Sequence, residues 1–196
     1  MPEGAKRGSR RGGRGRGGRP PPLVAALDLG TNNCRLLIAT AARDGQLRVV
    51  DSFSRIVRLG EGVAATGLLS DAAIARTVEA LKVCARHLAD KEVGRLRAVA
   101  TEACRRARNT GELVRRVKEA TGIALEVNDA AEEARLAALG CAPLIDEAAA
   151  GALVFDIGGG STEVIWMTRD GEGAARVAYA HSEPIGVVTC TRTDWP

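Results

Sequence analysis

Two stretches of the chain align without a gap: DLGTNNCRLLIA at residues 28–39 and DIGGGSTEVIWM at residues 156–167. Asp28 falls on Asp156, Gly30 on Gly158, Asn33 on Ser161, and Leu36-Leu37 on Val164-Ile165. Each reads as strand, Asp, any residue, Gly, polar turn, strand. A glycine cluster alone ordinarily marks only a tight turn. A turn that recurs together with its flanking strands points instead to two similar lobes that face each other across a cleft.

The physics of the repeated turn points to anions. A tight turn exposes successive backbone N–H groups. Glycines such as Gly158, Gly159 and Gly160 leave room for an anionic oxygen to approach them, forming a nest. The hydroxyls of Thr31, Ser161 and Thr162 add donors. An Asp at each strand end, Asp28 and Asp156, can hold a hard cation directly or through water and so offset phosphate charge.

The remaining elements follow from periodicity. Residues 23–30, 34–40 and 46–60 read as strands, with a hairpin turn at 43–45. A helix is expected from about Asp71 to Ala89, capped by Ser70, with Ile74, Val78, Leu81, Ala85 and Leu88 at helical spacing. Residues 95–101 read as a strand, followed by a short helix through Arg108. Asn109 with Glu112 is a capping pattern for a helix to about Ala120, closed by Gly122. Residues 124–127 read as a strand, and Asp129 with Glu132 opens a helix to about Leu139. Strands follow at 152–156, 162–168 and 176–180. Three strands, then alternating helix and strand, then strands again indicate an α/β fold with a mixed sheet.

Composition sets the limits. Of 196 residues, 45% are hydrophobic but only 3% aromatic, so the core is to be built from Ala, Val, Leu and Ile. The net charge of +4 is carried by the N-terminus: residues 1–19 hold seven basic residues and one acid, which leaves the remainder net negative. That Arg/Gly/Pro-rich tail, residues 1–22, cannot form a core and is expected to be disordered. It serves either as a weak polyanion or nucleic-acid contact, or it is merely a solubilising tail or a mis-called start site. The 5 cysteines are scattered, with no CxxC pair, which reads as reduced intracellular thiols and a cytoplasmic location. No apolar run approaches a membrane span, and His87 and His181 lack metal-ligand spacing.

The paired hairpins resemble the actin/Hsp70/sugar-kinase superfamily. The finer motifs resemble the exopolyphosphatase/guanosine pentaphosphate phosphohydrolase (Ppx/GppA) family. Six ordered segments carry the resemblance between residues 23 and 189: LDLGTNNCRLLIA, RIVRLGEGVAATGLLSDAAI, AVATEACRRARN, EEARLAALG, DIGGGSTEVIW and PIGVVT. The resemblance implies an actin-like (ribonuclease H-like) mixed-sheet lobe over residues 23–145. The opening strands of a second, similar but incomplete lobe follow over 146–196. Such proteins release terminal phosphate from inorganic polyphosphate or the 5′-phosphate of guanosine pentaphosphate, with Mg2+ or another divalent cation. The resemblance also allows a homodimer of the full-length form.

Carried over residue by residue, the family's general base falls in the EEAR segment. Glu132 is expected to serve in capping, which leaves Glu133 as the base. Glu163 is a second catalytic candidate, able to orient water or metal, and Asp156 the better metal candidate beside Asp28. Arg105 matches a phosphate-facing arginine, while Arg106 is expected to be solvated. Thr31, Asn32, Asn33 and Arg35 belong to the first loop, with Arg35 open to either a phosphate or a structural ion pair. Arg58 either faces the cleft or flanks it. The segment VNDAAEEA at 127–134 departs from the family's Ser-Gly turn. Residues 190–196 depart from its expected continuation, so a truncation or frameshift is one expectation. The other readings are an ATP-dependent kinase or ATPase of the same superfamily, a non-catalytic binder of guanosine phosphates or polyphosphate, and a truncated inactive fragment.

Overall fold

The computed structural model describes residues 22–41, 46–171 and 173–190. The N-terminal tail, the turn at 43–45 and most of the departing C-terminal segment lie outside these residues.

Strands β1 (Leu23–Leu29), β2 (Asn33–Ala41) and β3 (Leu47–Ile56) form an antiparallel meander. Helix α1 (Val63–Thr66) and helix α2 (Asp71–Asp90) lead to β4 (Arg95–Ala100), which pairs parallel to β1. Helix α3 (Glu102–Arg106) and helix α4 (Thr110–Thr121) lead to the short β5 (Glu126–Val127), parallel to β4. The sheet order is β3-β2-β1-β4-β5, a mixed sheet. Helix α5 (Ala130–Cys141) and a 3-10 turn (Ala142–Leu144) precede β6 (Gly151–Ile157), β7 (Thr162–Arg169) and β8 (Ala175–Glu183), a second antiparallel meander.

The two meanders share one register. A single constant offset carries the pair Asp28–Arg35 to Asp156–Glu163 and Arg35–Ser54 to Glu163–Ser182. The same offset carries the irregularity between Ile38 and Ala39 to the one between Trp166 and Met167. A bulge bends a strand and strengthens its twist, so both units curve at the same place.

Aliphatic side chains build the core, as the composition requires. Leu27, Leu29, Ile38, Leu59, Ile74 and Leu81 are almost wholly buried. The Ser70 hydroxyl accepts from the Ala73 N–H at 3.2 Å and starts α2, whose Ala73, Ile74, Thr77, Leu81 and Cys84 face inward. Cys34, Cys84 and Cys104 are buried free thiols.

Four local expectations give way to longer-range forces. The strand expected over 46–60 ends at Ile56, because the chain turns back: Val57 and Arg58 donate to the Asn32 carbonyl, and Gly60 to that of Thr31. The strand expected over 124–127 shrinks to two residues. Asn109 does not cap α4 with its side chain; its Oδ1 accepts from Leu69 N–H at 2.8 Å and its Nδ2 donates to the Leu69 carbonyl at 2.9 Å. Helix α5 falls within residues 23–145, yet it packs on the second sheet, where Ala134 and Ala138 are buried against Ile165 and Met167. The same helix also holds the first unit, through Glu132 to Arg97 and Glu133 to Arg105. Among the described residues no helix is long and apolar enough to cross a membrane.

Candidate active site

The two hairpins touch. A Cβ added at Gly159 would stand 3.2 Å from the Cβ atoms of both Asn32 and Thr31, and one at Gly160 would stand 2.5 Å from Thr31 Oγ1. The second hairpin is bare so that the first can dock on it. Beside this contact lies a cleft of about 300 Å³. Its walls are Asp28, Gly30, Thr31, Asn32, Asn33 and Arg35 from the first hairpin, and Asp156 through Ser161 from the second. Thr101 and Glu102 from the end of β4 and the start of α3, Glu133 from α5, and Val187 complete the lining.

Backbone donors face this space. Among the described residues, the N–H groups of Gly159, Gly160 and Ser161 have no acceptor. The buried Thr31 Oγ1 also has no partner. A buried, unsatisfied polar atom costs free energy unless water or a ligand meets it. Arg35 is exposed and lines the cleft, and its charge acts on Asp28. Among the described residues no carboxylate lies within 4.0 Å of its guanidinium.

Glu133 is placed by its helix. The Asp129 carboxylate accepts from the Glu132 N–H at 2.7 Å and fixes the first turn of α5. The capping therefore uses the Glu132 backbone, not its carboxylate. That carboxylate binds Arg97 at 3.0 Å and Arg135 at 2.6 Å. Arg135, and then Arg97, hold the Glu132 carboxyl down to about 2. One residue on, Glu133 faces the cleft. Burial raises its carboxyl above the ordinary range, Arg105 acts against this, and the charges of Glu163 and Asp156 add to it. Burial likewise raises Asp28, with Arg35 opposing and Asp156 adding.

Arg105 does not line the cleft. Its Nη1 donates to Glu133 Oε2 at 2.5 Å and to the Asn128 carbonyl at 3.1 Å, while Nε and Nη2 both reach Glu102 Oε2. Its guanidinium is committed to two carboxylates, so it orients Glu133 instead of meeting solvent. Arg106 is exposed, as its position predicts. Thr162 also lies behind the lining; its hydroxyl donates to the Ile185 carbonyl at 2.6 Å. Glu163 is 1% exposed and accepts from the Ser182 hydroxyl at 2.8 Å. Arg58 flanks the cleft with a left-handed backbone, φ 49°, and its carbonyl accepts from Arg76. His87 pairs with Asp51 at 2.9 Å and His181 with Glu183 at 2.6 Å, both away from the cleft.

Sequence reasoning did not single out Glu102 or Val187. The available signal for Glu102 was its spacing: an acid three residues before Arg105 on one helix face.

Two meanders of matching register, joined by a cleft of bare N–H groups and carboxylates, define an actin-like mixed α/β fold. Residues 38–195 match the Ppx/GppA phosphatase family, and the chain belongs to it. It is 40% identical over 176 residues to exopolyphosphatase 2 of Mycobacterium tuberculosis, covering 86% of this chain and 53% of that protein. A crystal structure of the Aquifex aeolicus Ppx/GppA family member matches with a TM-score of 0.72 at 38% identity, over 85% of this chain and 52% of that one. A crystal structure of an exopolyphosphatase from Cytophaga hutchinsonii matches with a TM-score of 0.76 at 29% identity, over 84% of this chain and 51% of that one. The chain spans about half the length of these relatives.

Proposed function

We propose that the chain carries the phosphate-cleaving site of a hydrolase that releases terminal phosphate from inorganic polyphosphate. The observation that carries this reading is Glu133: a half-buried carboxylate, oriented by Arg105, facing a cleft whose other walls carry N–H groups, hydroxyls, Arg35 and the carboxylates of Asp28, Glu102 and Asp156.

In this reading Glu133 accepts a proton from a water in the cleft. The water oxygen bonds to the terminal phosphorus, and the bridging P–O bond breaks. The bond's electron pair leaves with the shortened chain. The N–H groups of Gly159, Gly160 and Ser161, with Arg35, hold the phosphoryl oxygens and stabilise the charge that develops. Burial keeps Glu133 basic enough to take the proton.

A divalent cation such as Mg2+ would offset phosphate charge here. The donors fit: Asp28 and Asp156 are hard oxygen ligands close enough to raise the Asp28 carboxyl. Among the described residues no group of three or more His, Cys, Asp or Glu is placed to hold a metal. Two carboxylates, with water and substrate oxygens for the rest, suit Mg2+ better than an all-protein cage.

Guanosine pentaphosphate is the second substrate, entering by its 5′ end. Polyphosphate is favoured because, among the described residues, no aromatic side chain lines the cleft to stack a base. The test is phosphate release from polyphosphate, guanosine pentaphosphate and ATP, with and without a chelator. Polyphosphate should be hydrolysed fastest, and only with the cation present. Turnover of ATP alone would overturn the proposal in favour of a kinase or ATPase.

A further inference from the structure

The segment PIGVVTC, residues 184–190, leaves β8 and folds back onto the glycine hairpin. Val187 N–H donates to the Gly158 carbonyl at 3.0 Å, and Val188 N–H to the Gly159 carbonyl at 2.8 Å. The segment is itself a closed turn: Thr189 and Cys190 N–H both donate to the Gly186 carbonyl, and Gly186 N–H donates to Thr189 Oγ1 at 2.8 Å. The Thr162 hydroxyl ties its entry down through the Ile185 carbonyl. Gly186 sits directly on the hairpin, where an added Cβ would stand 2.5 Å from Gly159 C and 2.6 Å from both Gly158 O and Gly160 N.

A trans peptide points its C=O and the following N–H in opposite directions, and the described residues contain no cis peptide. Carbonyls 158 and 159 are aimed at the turn, so the N–H groups of Gly159 and Gly160 are aimed away from it. Both residues line the cleft and neither N–H has an acceptor. Building on the phosphate-binding reading above, we propose that residues 184–190 are a positioning turn that holds these two amides toward the substrate, with Gly186 and Thr162 as its positioning residues.

The first hairpin has the same device. The offset that relates the two meanders carries the bond from Gly60 N–H to the Thr31 carbonyl, 2.9 Å, onto the bond from Val188 N–H to the Gly159 carbonyl. In each unit the segment after the third strand returns to seize a carbonyl of the turn. A glycine loop left alone would spread over many conformations, so the returning segment supplies the order that anion binding needs.

The test uses the 196-residue chain labelled with 15N, as wild type, Gly186→Ala, Thr162→Val and Thr162→Ser. The Gly159 and Gly160 amide resonances are recorded, and each protein is titrated with inorganic tripolyphosphate. Gly186→Ala and Thr162→Val should move both resonances and weaken tripolyphosphate binding by about tenfold or more, as expected for misaimed donors to a charged group. Thr162→Ser, which keeps the hydroxyl, should behave as wild type. Should Gly186→Ala fail to fold, the two Thr162 variants carry the comparison. Unmoved resonances in Thr162→Val, or moved resonances with full affinity, would overturn the positioning turn. A wild-type chain that binds no tripolyphosphate overturns the reading of the site instead, a failure seen in the titration and not in the resonances.

Discussion

The meanders β1–β3 and β6–β8 share a register, a bulge and a braced turn, yet they arm the cleft differently. At equivalent positions the first carries Arg35, exposed to the cleft, and the second Glu163, buried against Ser182. The first turn is Thr31-Asn32, the second Gly159-Gly160. The two turns pack against each other, so only one of them has room for side chains. The turn of the first hairpin therefore contributes side chains and the turn of the second contributes backbone. The shared register supplies the frame, and steric complementarity between the two turns divides the roles.

The units also differ in their cover. The first sheet packs its aliphatic face under α2 and α4, whereas α5 covers one face of the second. On the other face of the second sheet Leu153, Phe155, Trp166 and Tyr179 are exposed.

The glycines of the two turns are not equivalent. Gly160→Ala should destabilise the chain by about 1–3 kcal/mol, the usual cost of overpacking, because its Cβ meets Thr31 Oγ1. Gly30→Ala meets only Asn33 O at 3.5 Å and should stay within about 0.5 kcal/mol. Urea unfolding reads both, and equal losses would show that the hairpins do not dock as described.

A second contrast sharpens the division of roles. Arg35→Ala should weaken tripolyphosphate binding by about tenfold and flatten its salt dependence. Glu163→Gln removes a buried negative charge without touching the cleft lining, so binding should stay level or tighten by less than about threefold. The reverse ranking would place the anion against the second unit's side chain.

The smallest effect is in pH. A base must be deprotonated to act, and burial raises Glu133. The acid limb of kcat/KM should therefore lie above the range of a solvent-exposed glutamate. Arg105→Gln removes the charge that opposes this rise, and should move the limb higher still. A limb moving down would mean that Arg105 does not act on the titrating group.

Where forces were local, the sequence was readable. The hairpin strands, the Ser70 cap and the Asp129 cap depend on neighbours within a few residues, and the structure places them close to where the pattern did. Where a distant partner competed, it was not. Asn109 has the type and position of a cap, but its amide is satisfied by Leu69 across the fold. Arg105 has the look of a phosphate ligand, but Glu102, Glu133 and the Asn128 carbonyl engage each of its three nitrogens. The cleft-facing placement of Glu133 was legible because an N-terminal helix turn gives adjacent residues different directions. Its partner Arg105 was not, since nothing in either segment states that α5 lies beside α3. Val187 was hidden for the same reason: the return of residues 184–190 onto the glycine hairpin is a tertiary event.

Glu133 is the proposed base, and its neighbour Glu132 provides the control. Glu133→Gln keeps size and hydrogen-bonding capacity but cannot take a proton from water. Phosphate release from polyphosphate should fall by about 10²–10⁴-fold, the usual contribution of such a group, while tripolyphosphate binding survives. Glu132→Gln removes the same charge one residue away, from an exposed pairing with Arg97 and Arg135, and should leave turnover within about threefold. Equal losses in the two variants, or full turnover in Glu133→Gln, would contradict the assignment.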